Sequence, residues 1–138
     1  MTCHLIGQTN RFAAAVAVCP VTDWVSERLT SNLATFCDLF LQADIKEIDG
    51  PYTRRSPVYF AASVETPVLL VCGALDASTP PGQSEEYFNA IRLNGGTAAL
   101  VTYPQEGHRP RSFPALIDYS ARITSWFHSF LAQDIGSA

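Results

Sequence analysis

"VLLVCGALDASTPPGQSEEYFNAIRLNGGTAALVTYPQEGH", residues 68–108, decides how this chain folds. Val68–Gly73 is an unbroken apolar run, rich in β-branched residues, introduced by Thr66-Pro67 and stopped at Gly73; it reads as a strand buried on both faces. The next stretch offers Ser78 or Thr79 as N-cap, prolines at the first helical positions, acids in the first turn and Gly95-Gly96 as a stop, which together predict a helix. "TAALVTYP" then predicts a second strand. Strand, helix, strand in that order means parallel pairing through a right-handed crossover, which brings both strand ends to one sheet edge. Ligands bind beyond that carboxyl edge in open α/β sheets, and Asp76 and His108 each follow a strand end there.

Outward from this unit the same alternation continues. Toward the N-terminus, "FAAAVAVCPV" from Phe12 is a short apolar run halted by Pro20 and reads as another buried strand. Before it, Met1, Leu5 and Ile6 fall at helical spacing, closed by Gln8-Thr9-Asn10. Asp23 to Ala43 predicts one or two helices with Leu33, Phe36, Cys37, Phe40 and Leu41 along one face, and "DGPYTRRSP" reads as a loop. Toward the C-terminus, "FPALIDYSARITSWFHSFLAQ" predicts a closing amphipathic helix with Leu116, Tyr119, Ile123, Trp126, Phe127 and Phe130 inward. The expected architecture is therefore α/β, a three-stranded parallel sheet with flanking helices, in a single domain over 1–138.

Composition narrows the function classes. The chain has 138 residues, 47% of them hydrophobic, and a formal net charge of -4 with its nine basic residues scattered. Nucleic acid is not an expected partner, because neutralising phosphates needs clustered Lys and Arg. No run reaches the ~18 apolar residues of a membrane span, and the N-terminal stretch lacks the basic and apolar regions of a signal peptide. A membrane partner is thus not expected; the compartment stays open, with the cytoplasm favoured. Cys3, Cys19, Cys37 and Cys72 show no zinc spacing and are expected as reduced, structural thiols. Neither a metal nor a cofactor is expected.

A carboxylate followed by an imidazole at one sheet edge has the form of a hydrolase relay. The carboxylate fixes the ring tautomer, so that the other ring nitrogen can take a proton from a nucleophile. Asp before His, after a serine, is the chain order of α/β hydrolases. Asp76 is equally at home as a turn residue before a helix, and Gly107-His108 as part of a surface loop. His4 and His128 read as surface or rim residues.

Three ordered stretches resemble the prolyl oligopeptidase family of serine peptidases, whose catalytic domain is an α/β hydrolase. "MTCHLIGQTNRFAAAVAVCPVTDW" is similar to the segment directly after the family's nucleophile elbow. "RRSPVYFAASVETPVLLVCGALDASTPPGQSEEYFNAIRLNGG" is similar to the segment with the catalytic Asp, and "LVTYPQEGH" to the one with the catalytic His. The resemblance implies that this is the C-terminal half of such a fold, with Asp76 and His108 as two triad members. It also places Trp24, Ser78 and Thr79 at the substrate. Members carry Gly-x-Ser-x-Gly-Gly-aromatic-Met-Thr at the elbow; Met1-Thr2 match its end, and no Gly-x-Ser-x-Gly occurs within the 138 residues. The serine is expected a few residues ahead of Met1, and the 138 residues alone are expected to be inactive.

The implied substrate is a peptide. An acyl ester is the alternative, because fold and triad do not select amide over ester. A non-catalytic α/β module pairing with another chain is a further reading. A phosphate-binding module is disfavoured by Pro20, where a phosphate-cradling loop needs Gly. An unpaired edge on the "FAAAVAV" strand is expected to promote self-association.

Overall fold

A computed structural model describes residues 1–131 of the chain. The elements are α1 (Thr2–Ile6), β1 (Ala15–Val18), α2 (Trp24–Thr30), α3 (Ala34–Leu41), α4 (Pro51–Arg54), a 3-10 helix (Pro57–Ser63), β2 (Val68–Gly73), α5 (Pro81–Leu93), β3 (Ala98–Tyr103) and α6 (Ala115–Leu131). The strands form one sheet in the order β1-β2-β3, all parallel, with Val18 opposite Val71 and Gly73 opposite Tyr103. β2 is central and every one of its residues is buried, as its continuous apolar run predicts.

Strand periodicity divides the core. On one face Ala15, Ala17, Val68 and Leu70 pack with Cys3, Ile6, Ala61, Tyr87 and Ile91 from α1, the 3-10 helix and α5. On the other face Leu69 and Val71, with Val16, Val18, Ala99 and Val101, pack against Ala115, Tyr119, Ile123 and Trp126 of α6. The result is a helix–sheet–helix sandwich. Two buried polar side chains fasten the helices: Tyr87 Oη donates to the Cys3 carbonyl at 3.0 Å, and Gln83 Oε1 accepts from the Thr22 and Asp23 amides at 2.8 and 2.9 Å.

Several local expectations are corrected. α5 has Pro80, not Ser78 or Thr79, at its N-cap, and no side chain caps it. The supposed loop 49–57 contains α4, because Pro51 sits at the helix start, where a missing N–H costs nothing; Pro57 likewise opens the 3-10 helix. Of the α3 face, Cys37 and Leu41 are buried with Tyr52, whereas Leu33, Phe36 and Phe40 are exposed. Leu116 is also exposed. The expected extension of the last helix to Gln133 lies outside the described residues. The four cysteines are free and buried, and no helix among the described residues is long and apolar enough to cross a membrane.

Candidate functional site

The carboxyl ends of the three strands meet at one place. Cys19 directly follows β1, Asp76 lies three residues beyond β2 and His108 five beyond β3. Backbone bonds tie the two longer exits together: Ala74 N–H donates to Tyr103 O and Leu75 N–H to Glu106 O, both at 2.9 Å. Buried Glu106 then braces the following turn, accepting from the Arg111 amide at 3.0 Å and from the Ser112 amide and hydroxyl. Gly73 lets this happen. A Cβ there would fall on the carbonyl oxygens of Glu106 and Gly107.

Within this frame Asp76 Oδ2 and His108 Nδ1 are 2.9 Å apart. The Asp76 side chain is fully buried, while that of His108 is 51% exposed. Oδ1 of Asp76 accepts the Ser78 and Thr79 amides, each at 2.9 Å, in a tight turn. Burial alone would raise the Asp76 pKa. Hydrogen bonds from the Thr79 amide, His108, the Ser78 amide and Cys19 outweigh it and hold the carboxyl below its usual value. An ionised carboxylate only accepts, so Nδ1 carries the proton it shares with Oδ2, and Nε2 is left as the ring nitrogen open to proton transfer.

Two neighbours escape sequence reasoning. Cys19 reads in sequence as a structural thiol, yet its Sγ accepts the Arg109 amide at 3.1 Å and belongs to the Asp76–His108 cluster. Burial pushes its thiol up to about 11. Its position right after a strand, level with the exits carrying Asp76 and His108, is the signal that could have found it. Cys19 and Arg109 both hold left-handed backbone, with φ of 46° and 64°, a region non-glycine residues rarely occupy.

Glu27 on α2 is the second. Asn32 N–H donates to Ala77 O and Ser31 Oγ to Ser78 O, both at 2.8 Å, docking the end of this helix on the Asp76 turn. Glu27 is 4% exposed, and its Oε2 has no hydrogen-bond partner among the described residues. Burial above all, with the Asp76 charge adding to it against Ser31 and His108, raises its pKa to about 7. Folding therefore favours the protonated acid. Between the unfolded value near 4.5 and about 7, stability falls as pH rises, and the loss is complete above about 7. Glu27→Gln is expected to raise stability at pH 8 by about 1–3 kcal/mol and to change it little at pH 4. Urea unfolding at both pH values checks this; an unchanged or lower midpoint at pH 8 contradicts it.

The remaining sequence-predicted site residues do not share one pocket. Trp24 opens α2, donates its amide to Ser56 Oγ at 2.8 Å and stacks on Phe40 with ring centroids 5.1 Å apart. Trp24 and Phe40 line a cavity of about 550 Å³ that runs along β1 beside Val18, Cys19 and Pro20, with Arg55 and Pro57 also on its wall. Ser78 and Thr79 are not among its lining residues; their backbone serves Asp76.

Residues 1–134 match the prolyl oligopeptidase family. The uncharacterized peptidase YuxL of Bacillus subtilis is 36% identical over 95% of this chain, and the mouse acylamino-acid-releasing enzyme is 27% identical over 96%. The chain spans about a fifth of their length, 20% and 19% respectively. Among solved structures, an acylaminoacyl peptidase from Pyrococcus horikoshii superposes with a TM-score of 0.84 at 19% identity, over 91% of this chain and 21% of that one. A puromycin-hydrolyzing peptidase from Mycobacterium tuberculosis gives 0.83 at 27% identity, over 91% of this chain and 19% of its own. The fold is that of part of an α/β-hydrolase peptidase domain.

Proposed function

We propose, from the premise that this chain belongs to the prolyl oligopeptidase family, that it supplies the carboxylate and imidazole of a Ser-His-Asp relay for peptide hydrolysis. The observation that carries the proposal is the 2.9 Å contact between buried Asp76 and half-exposed His108. In the relay, His108 Nε2 removes the proton of a serine hydroxyl as its oxygen attacks the substrate carbonyl carbon. His108 then delivers that proton to the leaving amine, and water repeats the sequence on the acyl-serine. Asp76 fixes the tautomer and stabilises the imidazolium that forms. Relatives named as peptidases, such as YuxL and the Mycobacterium tuberculosis protein, favour an amide over an ester.

Trp24, with Phe40 stacked behind it, holds an apolar part of the substrate in the cavity beside β1. Ser78 and Thr79 act at the same edge, shaping the turn that aims Asp76. The serine belongs to an elbow outside these 138 residues, since no Gly-x-Ser-x-Gly occurs within them. The relay is then incomplete in the 138 residues alone, because one oxyanion donor accompanies the serine.

β1 pairs only with β2 among the described residues, and two cavities flank it, the second lined by Phe12, Ala14, Ala15, Val16 and Phe127 among others. Unpaired backbone beside apolar side chains is a template for another strand. One preparation tests both points. The 138 residues expressed alone are expected to resist a fluorophosphonate probe and to self-associate by light scattering. Labelling at the rate of an active serine peptidase would sink the relay reading, whereas a strictly monomeric species with a sharp, reversible thermal transition would remove the open edge.

A further inference from the structure

The three strand ends present three different metal-binding atoms to one point. Cys19 Sγ, an Asp76 carboxylate oxygen and a His108 ring nitrogen all lie within 4.8 Å of one another. We propose that they form a site for a soft divalent cation, with Zn²⁺ as its type, and that filling this site separates Asp76 from His108.

The donor set selects the ion. Thiolate and imidazole suit Zn²⁺ and its soft neighbours, whereas Mg²⁺ and Ca²⁺ require more oxygens than this point offers. Zn–S near 2.3 Å and Zn–N and Zn–O near 2.0–2.2 Å place tetrahedral donors roughly 3.3–3.6 Å apart. The cluster has to contract around sulfur, and the 2.9 Å contact between Asp76 and His108 has to open by about half an ångström. Half exposure of the His108 side chain gives the ring room to move and the cation a way in from solvent. Water takes the fourth position.

Outer contacts already orient the donors, which is what metal sites need. The Ser78 and Thr79 amides hold Asp76 Oδ1 and leave Oδ2 as the ligand. The Arg109 amide, from the loop that also carries His108, points at Cys19 Sγ. On binding, the thiol releases one proton to solvent, and the imidazole moves its proton from Nδ1 to Nε2 so that Nδ1 can coordinate. Nδ1 and Oδ2 thus serve either the relay hydrogen bond or the cation. The site stands on the three donors alone; only its inhibitory consequence rests on the relay reading.

The test is spectroscopic and needs no turnover. Titrating the 138-residue chain with Co²⁺ is expected to give one equivalent bound, with a thiolate-to-cobalt charge-transfer band and the intense visible bands of a four-coordinate ion, all displaced by Zn²⁺. Cys19→Ser should abolish the charge-transfer band. His108→Gln, at a half-exposed side chain whose change leaves the core untouched, should weaken Co²⁺ binding by roughly tenfold or more. His4→Gln and His128→Gln should leave the titration unchanged. Absence of the band at saturating Co²⁺, its survival in Cys19→Ser, or unaltered affinity in His108→Gln would each overturn the site.

Discussion

Replacing His108 by Ala, in a polypeptide that joins this chain to an elbow-bearing segment, is expected to lower kcat about a millionfold, with KM little changed. Loss of the base in a serine relay removes nucleophile activation and leaving-group protonation together, leaving only the oxyanion hole and substrate binding. Asp76→Asn is expected to cost about ten-thousandfold through a different route. Its Oδ1 can still accept the Ser78 and Thr79 amides, so the turn survives. Its amide, however, offers hydrogens to Nδ1 and forces the ring into the tautomer with Nε2 protonated, which cannot accept the serine proton. Steady-state kinetics on an amide substrate separate the two variants. A loss below tenfold in either would remove that residue from the relay.

Gly73→Ala carries the second large effect and acts without touching Asp76 or His108. The added methyl would meet backbone, with the Glu106 carbonyl carbon at 2.6 Å and two carbonyl oxygens closer still. Backbone on both sides is held by the β2–β3 ladder and by Leu75 N–H to Glu106 O, so neither can yield cheaply. Overpacking at a rigid point is expected to destabilise by about 2–4 kcal/mol. It is also expected to displace the His108 loop, and a shift near 1 Å costs roughly a hundredfold in rate. Gly82→Ala is the control: a methyl in that first turn of α5 meets nothing within 4 Å and should be neutral or stabilising by up to about 1 kcal/mol. Urea midpoints of both variants check the contrast, and a tolerated Gly73→Ala would refute the close approach.

β2 is legible to the residue because a strand buried on both faces must be apolar throughout, and Gly73 marks its end in composition and in space. Asp76 and His108 can be paired because parallel topology leaves one edge for both strand exits. Cys19 is free and buried as expected, but its neighbours Asp76 and His108 arrive from two other strands, and nothing local in "VAVCP" announces them. Glu27 escapes notice because nothing in "WVSERLT" sets it apart; its burial shows only where α2 docks on the Asp76 turn. Phe36 and Phe40 fit an inward stripe by spacing, but the satellite core around Tyr52 takes only Cys37 and Leu41, and the aromatics stack outside it toward Trp24.

The claim that Asp76 sets the tautomer of His108 can be measured on the 138 residues without any serine. Ring ¹⁵N shifts of neutral His108 distinguish a protonated nitrogen from a bare one. Nδ1 is expected to be protonated and Nε2 bare in the parent sequence, reversing in Asp76→Asn. A neutral ring with its proton on Nε2 in the parent, or shifts that ignore the Asp76 substitution, would contradict it.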